Sequence, residues 1–206
     1  MHAPYGSELQ RLARLLYRRG YTVLPSRHKI PACRWKYADA DRSAIVTREQ
    51  LYACTQHRSD YDSLTLRLDD GVAVLDCDFY LPQLTQAWVD LLAHDGRRLY
   101  GVQGSKGVKL VFALPGKSGV APTLRLGEAV CPPGRADQIC MLEVKQDVAA
   151  VCGRHSPQHV YHPLPPLAFI DELPPPGYLP RWTLPQLLAR WKLITSHLGL
   201  VSVPAR

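Results

Sequence analysis

No run in this 206-residue sequence is long and apolar enough to cross a membrane as a helix. The first helical stretch carries Arg11, Arg14, Arg18 and Arg19 where a signal peptide would be apolar. A cytoplasmic protein with no membrane partner is the expectation. The six cysteines (Cys33, Cys54, Cys77, Cys131, Cys140, Cys152) include no C-x-x-C pair, which argues for reduced thiols rather than a disulfide framework. The phosphate loop G-x-x-x-x-G-K-[ST] is missing, so these residues hold no helicase motor of that type. No internal repeat is evident. Aromatic residues make up only 8% of the chain, so a broad stacking surface for bases is not expected.

What is present is an ordinary globular composition, 46% hydrophobic and 21% charged, enough for one domain with a sizeable core. The formal net charge of +7 suits a polyanionic partner such as nucleic acid, a nucleotide or a membrane surface. A basic protein with no such partner is the alternative.

Three capping-box patterns mark helix starts: Ser7-Glu8-Leu9-Gln10, Thr47-Arg48-Glu49-Gln50 and Thr183-Leu184-Pro185-Gln186. The first helix repeats leucine at 9, 12, 15 and 16 and stops at Gly20; the second runs to about His57. Tyr21 to Leu24 is a short strand ending at Pro25, and residues 26–44 form a basic loop. Leu64 to Arg67 is a strand, Asp69-Asp70-Gly71 a turn, Val72 to Asp78 an apolar strand with an acidic end, and Pro82 to His94 a helix stopped by Asp95-Gly96. Two hairpins are predicted, 99–102 with 108–114 around Gly104-Ser105-Lys106-Gly107, and 139–144 with 148–152, on either side of a Pro/Gly-rich excursion at 115–137. Proline density makes 163–182 an extended linker between a domain at 1–162 and an amphipathic C-terminal helix and tail at 183–206. That helix packs on the core, on a downstream domain or on a partner.

Strand residues two apart share a face, so Asp76 and Asp78 project together while Cys77 faces away. Two adjacent carboxylates at the end of a buried strand repel and resist desolvation. A divalent cation such as Mg²⁺ or Mn²⁺ compensates them naturally, through hard oxygen ligands. A solvated strand end is the plain alternative. Met141, Glu143 and Lys145 share the face opposite Leu142 and Val144, so Glu143 lies either at a site or in water.

These pieces resemble, in order, the bifunctional primase-polymerase domain of the archaeo-eukaryotic primase superfamily, plasmid and phage type. Gly20-Tyr21-Thr22-Val23-Leu24-Pro25 followed by Lys29, Pro31 and Trp35 resembles its opening G-x-x-v-l-P … K-x-P … W. Gly71 to Asp78 resembles its G-h-h-h-h-D-h-D strand, and Ser105 to Phe112 its S-G-G-x-H-h-h-F hairpin. Leu142-Glu143-Val144-Lys145 resembles the strand with the third acid, and Gly153-Arg154-His155-Ser156-Pro157 with Tyr161 its closing G-x-H-P … Y. The resemblance spans roughly residues 10–162. Lys109 departs from it, standing where the family has a histidine that contacts the incoming triphosphate. Lysine is also a cation for phosphate, so the change either keeps nucleotide binding or marks altered catalysis.

The resemblance implies an α/β (α+β) core whose mixed, mostly antiparallel sheet carries the acids, flanked by helices. It implies template-directed nucleotidyl transfer from NTPs or dNTPs on single-stranded DNA in plasmid or phage replication. Asp76, Asp78 and Glu143 would hold Mg²⁺ or Mn²⁺; Ser105, Lys106, Lys109, His155 and Arg154 would bind nucleotide. Lys29, Arg34 and Lys36 around Trp35 would touch nucleic-acid backbone, unless Trp35 simply anchors a solvated loop. A helicase or other replication protein would dock on the C-terminal helix. Cys152, His155, His159 and His162 fit no defensible zinc spacing, and zinc is not expected. Two other functions use the same residues: a non-catalytic nucleic-acid-binding replication module, and a metal-dependent nuclease.

Overall fold

The computed structural model describes residues 5–37, 44–69, 71–94 and 96–203. Residues 38–43 of the basic loop, Asp70 of the predicted turn, Asp95 of the predicted helix stop and the tail at 204–206 lie outside the described residues. In chain order the elements are α1 (Tyr5–Arg18), β1 (Thr22–Arg27), β2 (Ile30–Pro31), α2 (Arg48–His57), β3 (Ser63–Arg67), β4 (Val72–Asp78), α3 (Pro82–Ala93), β5 (Tyr100–Gln103), β6 (Gly107–Ala113), β7 (Leu124–Arg125), β8 (Val130–Cys131), β9 (Met141–Lys145), β10 (Val148–Ser156), β11 (His159–Val160), α4 (Leu184–His197) and β12 (Val201–Ser202).

The fold is α+β with antiparallel sheets. Five strands in the order β5-β6-β4-β9-β7 form one sheet, five in the order β11-β10-β3-β1-β2 form another, and β12 pairs with β8. The single mixed sheet expected from sequence is therefore two sheets, and among the described residues parallel pairing occurs only as isolated bridges, Tyr100 with Ala168 and Ala113 with Arg181. The predicted 139–144/148–152 hairpin does not form. β9 pairs with β4 and β7, whereas β10 pairs with β3 and β11, so the chain crosses between sheets after Lys145. Both strands are apolar enough to be central, and each finds a partner distant in sequence rather than its neighbour.

β4 is nearly continuously apolar because it is covered on both faces. Ala73, Leu75 and Cys77 pack under α3 and α4, against Leu84, Trp88, Leu187 and Trp191. On the opposite face Val72 and Val74 join Leu64 and Leu66 of β3, and Leu68 just after it, in a second core. Further along that second face come Asp76 and Asp78, where the two sheets part. One strand face thus runs from dry core into an open cleft within four residues.

The capping boxes at Thr47 and Thr183 both form and open α2 and α4. α1 begins at Tyr5, so Ser7 lies inside its first turn rather than ahead of it. The proline-rich segment after residue 162 holds no α-helix or named strand before α4, only two single-turn 3-10 helices at Ile170–Glu172 and Pro176–Tyr178, and it is packed along the body, with Ile170, Leu173 and Trp182 buried. Of the three placements open to the C-terminal helix, the core is the one seen: Leu187, Trp191 and Ile194 of α4 close the first core. Phe79 stacks on Trp191 at 5.3 Å and meets Trp88 edge-on at 6.4 Å, tying the end of β4 to both helices.

Candidate active site

Asp76 sits in register with Lys109 of β6 on one side and Glu143 of β9 on the other. The strand alternation that unites Asp76 and Asp78 therefore brings all three predicted acids onto one sheet face. They lie in a pocket of about 230 Å³. Its far wall comes from the other sheet, as Lys29, His155 and Tyr161. The turn Gly104 to Gly107 forms the rim.

The acids do not stand alone. Lys109 Nζ bonds directly to the Asp76 carboxylate, and Lys145 Nζ lies 2.6 Å from Glu143 Oε2 and 3.9 Å from Asp76 Oδ2. Asp78 has no ion pair among the described residues. Burial, then the charge of Asp76 and more weakly that of Glu143, pushes its pKa above the ordinary carboxylate value against the pull of Lys109 and Lys106. The sheet therefore compensates Asp76 and Glu143 internally and leaves Asp78 under-compensated.

This donor set suits a hard divalent cation: three carboxylates on adjoining strands, one of them only partly compensated by nearby lysines. As the side chains stand, no three Asp, Glu, His or Cys groups among the described residues gather around one point. Were Asp76 to hold a cation, Lys109 would have to leave it, a change open to a flexible four-carbon side chain.

Two backbone features aim the far wall. The turn joining β1 to β2 consists of His28 and Lys29 alone, and both have positive φ, 47° and 66°. That is a two-residue hairpin turn normally built from Asn or Gly. It is pinned by the His28 N–H donating to Asp62 Oδ1 (2.9 Å) and the Lys29 N–H to Ser63 Oγ (3.4 Å). Asp62 also accepts the Arg154 N–H on its carbonyl (2.9 Å), where β10 presses so close that a Cβ on Gly153 would lie 2.2 Å from that oxygen. A bulge between Ala150 and Cys152 shifts the alternation of β10 upstream of His155. Residues 62–63 thus anchor both Lys29 and the strand bearing His155.

His155 packs against Tyr161 (5.1 Å between ring centroids) and His159 (5.4 Å), and its Nε2 is buried without a hydrogen-bond partner among the described residues. Burial, followed by the charges of His159, Lys29 and Lys109, holds its pKa below the usual histidine value. Burial drives the Tyr161 hydroxyl well above the usual tyrosine range.

The other sequence candidates divide. Ser105, Lys106 and Lys109 line the pocket. Arg154 does not; its guanidinium donates to Pro157 O at 3.2 Å. Arg34 and Lys36 are exposed outside the pocket, while Trp35 packs on the small core of Leu24, Val46 and Leu51. Arg67 Nη1 donates to Trp35 O at 3.2 Å, so the tryptophan anchors the loop. Cys152 is buried in the second core, with its thiol pushed up to about 12 by burial. Sequence reasoning missed Lys145 as a site residue, although it shares the Glu143 face. Tyr161, legible as the end of the closing motif, is given no site role by the sequence, and its place in the pocket depends on the second sheet. No protein-family model matches the chain, and no curated protein is similar to it in sequence.

Proposed function

We propose that this protein is a nucleotidyl transferase of the primase-polymerase type, extending or initiating a strand on a single-stranded DNA template. The observation that carries the reading is the placement of Asp76, Asp78 and Glu143 together in one pocket also lined by Lys29, Lys109 and Lys145. Acids for a cation beside several lysines is the pairing that a metal-bound triphosphate needs. Mg²⁺ or Mn²⁺ held by the three carboxylates would favour ionisation of a 3′-hydroxyl and neutralise the leaving pyrophosphate.

The chain's own groups supply the rest by position and charge. Lys109 and Lys145 line the pocket and, released from the acids, would be free to meet the phosphates. Lys29 offers a cation from the opposite wall, held by a turn that does not need to reorganise. Ser105 and the N–H groups of the 104–107 turn contribute neutral donors. His155, whose surroundings disfavour the imidazolium, lines the same wall, and its buried Nε2 would need a small ring movement to meet a ligand.

The test is incubation with single-stranded DNA, labelled nucleotides and Mg²⁺ or Mn²⁺, with and without primer. Products that disappear in Asp76→Ala/Asp78→Ala support the reading; shortened strands would indicate a nuclease. The direct Lys109–Asp76 contact favours a second reading, a nucleic-acid-binding module in which lysine has taken the place of the cation. DNA binding without synthesis, unaltered by Lys109→His, would select it.

A further inference from the structure

Directly after the acidic strand, Phe79 is locked between Trp88 and Trp191, while the next residue, Tyr80, turns outward with 46% of its surface exposed. Leu81 and Pro82 then start α3, so Tyr80 is held at both ends by rigid structure. It borders a second groove of about 300 Å³, separated from the acidic pocket by the 104–107 turn and lined also by Pro82, Gln86, Gln103, Lys106 and Leu164. Lys106 Nζ stands 5.2 Å from the Tyr80 ring centre, and hydrogen bonding to Tyr80 strengthens its hold on its proton. Lys106 lines both the groove and the pocket.

We infer that this groove seats a single strand of nucleic acid, with a base stacked on Tyr80 and a backbone phosphate on Lys106. An exposed aromatic ring beside a cation is the two-part chemistry by which proteins hold single strands without reading sequence. A large ring left in water on a firmly fixed stretch of backbone is a ready platform, because stacking on it requires little further ordering. The net charge of +7 favours a polyanion over a protein or peptide partner. The groove also shares Ser105, Lys106 and Gly107 with the acidic pocket, so a strand lying in it ends beside the acids. The inference rests on the nucleotide-handling reading of that pocket, but it concerns strand binding rather than synthesis.

The experiment is fluorescence anisotropy of a labelled single-stranded oligonucleotide, titrated with wild type, Tyr80→Ala, Tyr80→Phe and Lys106→Ala, in chelator so that no synthesis occurs. Expected are a loss of about tenfold in affinity for Tyr80→Ala and near-wild-type binding for Tyr80→Phe, which keeps the ring. Lys106→Ala should bind more weakly and show a shallower salt dependence, with one phosphate contact fewer. Calorimetry with free dATP in chelator should give the same weak signal for wild type and Tyr80→Ala. Equal oligonucleotide affinity of Tyr80→Ala and wild type overturns the inference, as does a Tyr80→Ala defect seen only with the free nucleotide. Strand binding that depends on Tyr80 in a protein that synthesises nothing would leave this inference standing and remove the polymerase reading.

Discussion

Asp76 and Lys109 stand opposite each other on neighbouring strands, and the lysine ammonium closes on the carboxylate that the proposed chemistry would give to a metal. Both side chains are mostly buried, with 12% and 17% of their surface exposed, so removing one partner strands a poorly solvated charge. Lys145, 3.9 Å away, partly takes over. Lys109→Ala should therefore lower stability in chelator by about 1–3 kcal/mol, less than a fully buried pair would cost. Millimolar Mn²⁺ should restore much of that loss. Urea titrations with and without Mn²⁺ measure it. Equal losses in both conditions would mean that the carboxylates do not take a cation.

Asp78 makes the opposite case. Its raised pKa means that its ionised form is worse off folded than unfolded. The cost is present above its folded pKa and is relieved as pH falls through it. Asp78→Asn should thus raise Tm of the metal-free protein at neutral pH, by about 1–2 °C once the group's partial exposure is allowed for. It should also abolish synthesis. A variant less stable than wild type in chelator would show that the carboxylate is satisfied by something other than a metal.

The core strand and the acidic pair were legible because they obey local rules. A buried four-residue apolar run followed by D-x-D fixes both burial and facing, and the boxes at Thr47 and Thr183 fix helix starts. What failed was pairing. Nothing within residues 139–152 distinguishes a hairpin from two strands in separate sheets, because the partners β4 and β3 lie more than sixty residues upstream. The same reason left Tyr161 legible as part of a motif but not as a wall of the pocket. Lys29 could be placed in a basic loop but not in the pocket, since its direction comes from a two-residue turn pinned by Asp62 and Ser63. Proline density in 163–182 argues against α-helix and central strand but not against short 3-10 turns or packing, so the buried Ile170 and Trp182 were invisible in it.

His155 gives a prediction in pH. With its folded pKa depressed, the unfolded chain takes up a proton at this residue before the native protein does. Its contribution is therefore absent above the ordinary histidine value and costs stability as pH falls from there toward the folded pKa. The imidazole signal of His155 should titrate below that of a model histidine in an NMR pH series. His155→Gln should flatten the stability loss in that window. Binding of a nucleoside triphosphate should move the titration upward, because phosphate favours the imidazolium. A titration at the ordinary value in the free protein would remove the argument for a neutral Nε2.

Lys29 sets stability against function at a single residue. A non-glycine residue at φ 66° costs about 1 kcal/mol, and here two such residues are adjacent. Glycine accepts that conformation without a Cβ clash, at the expense of a more disordered unfolded chain. Lys29→Gly should therefore leave stability unchanged or raise it by up to about 0.5 kcal/mol. The same change removes the cation that the turn presents to the pocket. Triphosphate affinity should fall about tenfold, the value of one lost charge-assisted contact of roughly 1.5 kcal/mol. Thermal melts and nucleotide titrations on the same preparation read both quantities. A variant that is stabilised and binds as before would make the strained turn a structural accident. One that is destabilised would mean that Lys29 holds the two sheets together rather than serving the pocket.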